Sequence, residues 1–239
     1  MHYYVFSMAN SYDISVIVPC LNEENTLGDV LAKIFATLQK TDLSYEVIVA
    51  DNGSVDMSVE IAKGFDVRVV HVEEKGYGNV LRQAFLQANG RFVFYGDADL
   101  SYDFGYLPAF WEVQQKGDYD LVSGSRLRGT MERGAMPWLH KYVGTPALTA
   151  LINLMHGAKF SDSNSGMRLI RRSSLEDMNL QSEGMELSSE IYIRAKQCNL
   201  NIVEIPMDFY KDHRGRPPHL KTFKDGMRSL RCILRLSKK

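Results

Sequence analysis

The chain has 239 residues, 45% hydrophobic and 24% charged, the composition of a globular protein with one large domain rather than two small ones. A formal net charge of −1 excludes a uniformly basic or acidic protein. Three cysteines, Cys20, Cys198 and Cys232, fit neither a disulfide framework nor a metal-site spacing, so free thiols in a reducing cytosol are expected.

At the N-terminus no basic region precedes an apolar run, and no signal peptide is expected. Ile14–Val18 (ISVIV) is a β-branched apolar run, the pattern of a buried parallel strand, and it ends at Pro19. From Thr26 to Leu38 the residues Leu27, Val30, Leu31, Ile34 and Leu38 recur at helical spacing. Glu46–Ala50 (EVIVA) predicts a second strand, followed by a helix opening near Asp56. Val67–Val72 predicts a third strand, and Gly76–Tyr77–Gly78 precedes a helix running to Asn89. Phe92–Gly96 (FVFYG) predicts a fourth strand leading directly into Asp97, and Leu121–Ser123 a fifth.

The second half is less regular. Ala135–Met155 reads as helical with a break at Pro146; its apolar stretch from Val143 is interrupted and falls short of the ~18 residues needed to span a bilayer. Arg168–Arg171 reads as a strand, Met185–Gln197 as a helix, and Asn201–Ile205 and Met207–Tyr210 as strand-like segments around Pro206. His219–Leu236 predicts a basic amphipathic helix, with Lys221, Lys224, Arg228, Arg231 and Arg235 in one stripe and Leu220, Phe223, Met227, Leu230 and Leu234 in a neighbouring apolar one. From Lys211 to Lys239 there are ten Lys or Arg against two Asp, +8, which leaves −9 on the preceding 210 residues and points to an anionic surface or substrate near the C-terminus. Strand–helix alternation predicts an α/β fold with a Rossmann-like, mostly parallel central sheet flanked by helices. Residues 1–218 form one domain in this reading, and residues 219–239 a C-terminal helix peripheral to a membrane.

In such sheets ligands bind beyond the carboxyl ends of the strands. Pro19–Glu23, Asp51–Ser54, Lys75–Gly78 and Asp97–Ser101 all lie there. Asp97 and Asp99, two residues apart after a strand, would point to one side and repel each other unless a divalent cation lay between them. Alone, the string is equally an acidic turn. Asp51–Asn52–Gly53–Ser54 could meet a base or ribose edge, or simply form a turn that caps the next helix. Gly76 and Gly78 open a helix whose amides favour anions. Arg126, Arg128, Arg133 and Lys141 could bind phosphate or stay in water, and Arg168 has the same two readings. Glu186 and Glu190 lie one helical turn apart, as an acid–base pair or an exposed face would.

Taken together, SVIVPCLNEEN (15–25), EVIVADNGSVD (46–56), KGYGNVLRQAF (75–85), FYGDADLSYDF (94–104), SGSRLRG (123–129), DSNSGMRLIRR (162–172) and GMELSSEIYIRA (184–195) resemble, in order, the family 2 glycosyltransferases with the GT-A fold. Within that family the likeness is to polyprenyl-phosphate sugar transferases of the dolichol-phosphate mannosyltransferase type, and the tail YKDHRGRPPHLKTFKDGMRSLR shares it. The resemblance implies that Pro19, Asn22, Glu23 and Asp51 line a nucleotide pocket, with backbone room at Gly76. It implies that Asp97 and Asp99 bind Mg²⁺ or Mn²⁺ and the donor diphosphate. Members of this branch often carry Gln at the position of Ser101, and Ser is the weaker ligand. Ser165, Gly166 and Arg168 would flank the sugar, Arg126, Arg133 and Lys141 would meet an acceptor phosphate, and Glu190 would sit on the acceptor side.

The reading is therefore inverting transfer of a hexose from a UDP- or GDP-linked sugar to a lipid phosphate. The enzyme would be cytoplasmic, on the inner face of an anionic membrane, with no nucleic-acid partner. An acceptor phosphate needs no general base, whereas a sugar hydroxyl would, and Glu190 or Asp162 would be its candidates. A nucleotidyltransferase would need a glycine-rich, basic early loop, and Pro19–Glu23 is acidic and lacks glycine. A non-catalytic nucleotide-sugar-binding module has less use for the intact pair Asp97 and Asp99.

Overall fold

The computed structural model describes residues 12–216 and 222–237. Seven strands form one sheet: β1 (Tyr12–Cys20), β2 (Tyr45–Asp51), β3 (Arg68–His71), β4 (Gly90–Tyr95), β5 (Leu121–Ser125), β6 (Arg168–Arg171) and β7 (Ile202–Pro206), in the order β3-β2-β1-β4-β6-β5-β7. All neighbours are parallel except β6, which runs antiparallel to both β4 and β5.

β1 lies between β2 and β4, and its alternation shows why its apolar run is continuous. Ile14, Val16 and Val18 enter one core with Leu27, Leu31 and Ile34 of α1 (Leu27–Leu38) and with Phe92, Phe94 and Phe104. Ile17 enters the opposite core with Leu81 and Phe85 of α3 (Tyr77–Gln87), Ile170, and Leu187 and Ile191 of α7 (Leu187–Gln197). A strand covered on both faces has no position for a polar side chain to reach water. The helix opening near Asp56 is α2 (Ser58–Lys63).

Two helices have no counterpart in the sequence reading: α4 (Leu107–Gly117) and α6 (Arg172–Met178). The buried stripe of α4 is Leu107, Phe110 and Gln114, too short and too polar at its end to give a clear helical period. Helix α5 (Thr145–His156) is preceded by a π-helical turn, His140–Gly144. Pro146 does not break the helix; it sits in the first turn of α5, where its missing N–H costs nothing. Met207–Tyr210 is not a strand. Only Phe209 pairs, in an isolated bridge to Met131. The C-terminal helix α8 (Thr222–Leu236) buries Cys232, Ile233 and Leu236 against Ile152 of α5 and Ile193 of α7. Residues 219–221 of the expected helix lie outside the described residues. No helix among the described residues is long and apolar enough to cross a membrane.

Candidate active site

The carboxyl ends of β1, β2 and β4 open into a cavity of about 430 Å³. Its lining includes Pro19, Glu23, Gly76, Asp97, Asp99 and Arg126 from the sequence reading. Past β4, Leu100 adopts a left-handed φ of 65° and turns the chain back on itself. That turn lets Ser101 donate to Asp99 Oδ1 from its backbone N (3.0 Å) and its Oγ (2.5 Å). Ser101 therefore orients the carboxylate, consistent with its being too short to act as a ligand itself. Tyr77 at the start of α3 donates its hydroxyl to Asp97 Oδ1 at 2.9 Å.

Positive charge reaches this wall from a distant segment. Arg214 contacts Asp99 Oδ2 at 2.5 Å, Glu23 Oε1 at 3.2 Å and Asp212 Oδ2 at 2.7 Å. Beside it, Arg216 donates to the carbonyls of Leu21 and Asn22 and to Glu23 Oε1 at 3.1 Å. Burial pushes the Glu23 carboxyl up to about 7, against the pull of both guanidinium groups. Burial, helped by the charge of Asp99, pushes Asp97 up to about 7 as well. A buried carboxylate whose charge is opposed by a second carboxylate beside it, as Asp97 is by Asp99, suits a hard divalent cation. Among the described residues no group of three or more His, Cys, Asp or Glu gathers to hold an ion. Asp97 and Asp99 would hold one between them, leaving its other positions to phosphate oxygens.

The loops after β1, β2 and β3 brace one another. Asn52 donates to the carbonyls of Val72 (2.9 Å) and Glu74 (3.0 Å) and accepts from Gly76 N (3.0 Å). Lys75 donates its ammonium to the Asn52 carbonyl. Gly76 has φ 131°, and any side chain there would run into the Glu183 carbonyl. Asn22 and Asp51 stand behind the cavity wall. Asn22 accepts from Val55 N at 2.8 Å, while Asp51 accepts from Gly53 N (3.1 Å), Ser54 N (2.9 Å) and His71 Nδ1 (3.1 Å). The two expected nucleotide contacts thus shape the loops that face the cavity.

Across the cavity Arg126 forms a buried bidentate pair with Asp162, Nε to Oδ2 at 2.7 Å and Nη2 to Oδ1 at 2.8 Å. Gly166 approaches the metal-ligand candidates so closely that a Cβ would lie 2.7 Å from Asp97 Oδ2. Its neighbours differ from expectation. Ser165 and Arg168 are fully buried and do not line the cavity. Arg168 donates to Tyr95 Oη and to the Ser163 and Ser188 carbonyls, each at 3.1 Å, and lies 4.8 Å from the centre of the Tyr192 ring. It is a core strut joining β4, β6 and α7, placed there because β6 runs between β4 and β5. Glu190 is also fully buried and accepts from Gln181 N (3.1 Å) and Ser182 N (2.6 Å), which fixes a loop and keeps its carboxylate out of the cavity lining. Arg133 and Lys141 lie outside the lining, and Lys141 rests over the Tyr142 ring.

Tyr77, Arg214, Asp225 and Arg228 line the cavity without having been singled out for it. Arg228 of α8 also pairs with Glu186, Nη2 to Oε1 at 3.0 Å. The tail string YKDHRGRPP carried the signal for Arg214, since three of its nine residues are basic Lys or Arg. Arg228 reads in sequence as one more member of a basic stripe.

The glycosyl transferase family 2 profile matches residues 15–178. The chain is 38% identical over 221 residues to a low-salt glycan biosynthesis hexosyltransferase, Agl6, of Haloferax volcanii, covering 92% of this chain and only 53% of the relative. It spans, therefore, about half the length of that relative. It is 36% identical to a dolichyl-phosphate hexose transferase of the same organism over 85% of each chain. Among solved structures, glucosyl-3-phosphoglycerate synthase of Mycobacterium tuberculosis, in complex with Mn²⁺, UDP and glucosyl-3-phosphoglycerate, superposes with a TM-score of 0.73. That match covers 95% of this chain and 80% of the synthase at 23% identity, a likeness of fold. With the profile spanning more than half of the chain, the protein belongs to glycosyl transferase family 2.

Proposed function

We propose that the protein transfers a hexose, with inversion, from a UDP- or GDP-linked donor to the phosphate of a polyprenyl phosphate. The observation that carries this reading is that Arg126 and Arg228 line the same cavity as Asp97 and Asp99. One wall suits a diphosphate and its cation, the other a second phosphate. The likeness to a dolichyl-phosphate hexose transferase supports it, and the Mn²⁺ and UDP bound by the fold neighbour support a metal-dependent donor site.

Asp97 and Asp99 would hold Mg²⁺ or Mn²⁺ together with the donor diphosphate, and the ion when bound supplies a Lewis acid for the leaving group. Ser101 and Tyr77 keep the two carboxylates aimed. Arg126 uses Nε and Nη2 on Asp162, leaving Nη1 for an acceptor phosphate, and Arg228 adds a second guanidinium. An acceptor phosphate oxygen attacks the anomeric carbon, the bond to the diphosphate breaks, and nucleoside diphosphate leaves. That oxygen is already anionic, so positioning suffices. A sugar hydroxyl acceptor is less well served. Glu190 and Asp162 are both engaged outside the lining, and besides Asp97 and Asp99 the cavity carboxylates among the described residues are Glu23, paired with Arg214 and Arg216, and Asp225.

The test is release of nucleoside diphosphate from a panel of UDP- and GDP-hexoses with Mn²⁺ or Mg²⁺, with and without polyprenyl phosphate. Release that depends on polyprenyl phosphate and yields a glycosyl phosphate is expected. Efficient transfer to a sugar hydroxyl with polyprenyl phosphate inert would overturn the reading.

A further inference from the structure

Helix α8 has two apolar sides, and only one is used. Cys232, Ile233 and Leu236 are buried against α5 and α7. On the opposite side of the same helix Phe223, Met227 and Leu234 face outward, exposed by 86%, 49% and 43%. At 100° per residue these three fall within a 40° arc, about half a turn from the buried side. A helix that only docked on its own domain would have no reason to carry the second stripe. Next to the stripe stand Lys224, Arg231 and Arg235, all exposed. The sequence reading placed Leu220 and Lys221 in the same two stripes; they lie outside the described residues.

A second exposed element meets the start of α8. The His140 ring Nε2 lies 3.0 Å from Thr222 Oγ1 at the start of α8, which joins the π-helical turn to the helix. Around that joint Trp138 (68% exposed) and Tyr142 (59%) project with ring centroids 5.9 Å apart, and Lys141 stands between them in sequence. Asp225, the one carboxylate in α8, points the other way and lines the cavity. Aromatic rings beside basic side chains, with no carboxylate among them, match the interface of an anionic bilayer: apolar below, phosphate above.

We infer that Trp138, Tyr142, Phe223, Met227 and Leu234 form a docking face for an anionic lipid surface, ringed by Lys141, Lys224, Arg231 and Arg235. Because Asp225 and Arg228 on the inward side of α8 line the cavity, one helix separates the bilayer from the acceptor wall. The purpose of the face rests on the lipid-phosphate reading above, while its existence is tested without it.

The experiment is sedimentation of the full chain with vesicles of phosphatidylcholine alone and of phosphatidylcholine with phosphatidylglycerol, with no donor or acceptor present. Binding at least about tenfold tighter to the anionic vesicles at low salt is expected, with release at high salt. The Trp138 fluorescence should shift to the blue on binding, a shift that Trp138→Phe removes. Lys224→Glu/Arg231→Glu/Arg235→Glu should abolish anionic selectivity, and Phe223→Ser should weaken binding to both vesicles, each with an unchanged Tm. Equal binding to both vesicles, no binding at low salt, or Trp138 remaining in water when bound would overturn the inference. So would a vesicle-free dimer that buries Trp138, which would assign the face to a second copy. If docking holds while polyprenyl phosphate is inert in detergent, the docking face stands and the acceptor reading alone falls.

Discussion

The two walls of the cavity are built by different rules. On the wall proposed for the donor, Pro19, Glu23, Gly76, Asp97 and Asp99 each lie within a few residues of a strand's carboxyl end. Their place follows from the local chain pattern. On the wall proposed for the acceptor the charged groups meet partners far away in sequence: Arg126 pairs with Asp162 and Arg228 with Glu186. Arg214 crosses 191 positions to reach Glu23 on the donor wall itself. The difference teaches that a basic residue in a sequence is not yet an available charge. Its carboxylate partner decides that, and the partner is set by tertiary structure.

The strongest way to break this comparison is at the donor wall. Asp99→Asn should lower kcat/KM for transfer by about 10²–10³ and move Tm by only a few degrees, because the carboxylate faces the cavity. A variant with wild-type rate in the presence of Mn²⁺ would remove Asp99 from the site.

On the acceptor wall the larger effect should be on folding. Asp162→Ala leaves the Arg126 guanidinium buried without its carboxylate, and should cost about 3–5 kcal/mol in urea unfolding. The double change Arg126→Met/Asp162→Leu should recover most of that stability and none of the transfer. A loss under about 1 kcal/mol for Asp162→Ala would mean that the pair is not the strut of this wall.

What was legible in the sequence follows the same divide. ISVIV and FVFYG lie in buried central strands of a sheet covered on both faces, so composition alone identifies them. The loops that follow them in chain order then place Asp97, Asp99 and Glu23 together. The string of Arg168 gives it a place beside the sugar loop, while the antiparallel insertion of β6 turns its side chain into the core among Tyr95, Ser163 and Ser188. Glu190 looked like a base at one helical turn from Glu186. Its oxygens face the amides of residues 181 and 182, a loop whose position no helical period encodes. On α8 the period gives two neighbouring stripes, does not show that Arg228 of the basic one turns to Glu186 and the cavity, and cannot say which side docks. The choice was made by Ile152 and Ile193, which lie in other helices.

Arg214 tests where the boundary between the walls lies. Arg214→Ala removes the positive charge beside Asp99, and binding of UDP or GDP in the presence of Mn²⁺ should weaken about tenfold by titration calorimetry. Unchanged affinity would leave the segment 211–216 as a brace for Glu23 and outside the donor site.

The smallest effect concerns Glu23, where the two segments meet. Its folded-state carboxyl titrates near 7 against an ordinary value of 4.5, chiefly through burial, with Arg214 and Arg216 acting in the opposite sense. The folded chain thus holds this proton more tightly than the unfolded one. That stabilisation is complete below the unfolded value and is lost as pH rises through about 7, where the fold must bury a charge. Glu23→Gln mimics the protonated form at every pH. In metal-free buffer with EDTA, the two proteins should unfold at nearly the same urea concentration at pH 5. By pH 8 the wild type should be less stable than the variant by about 1–2 kcal/mol, below the full linkage value because two guanidinium groups remain beside the charge. A gap that does not change with pH, or a wild type that gains on the variant as pH rises, would show that Arg214 and Arg216 outweigh burial. Glu23 would then belong with the paired carboxylates of the acceptor wall.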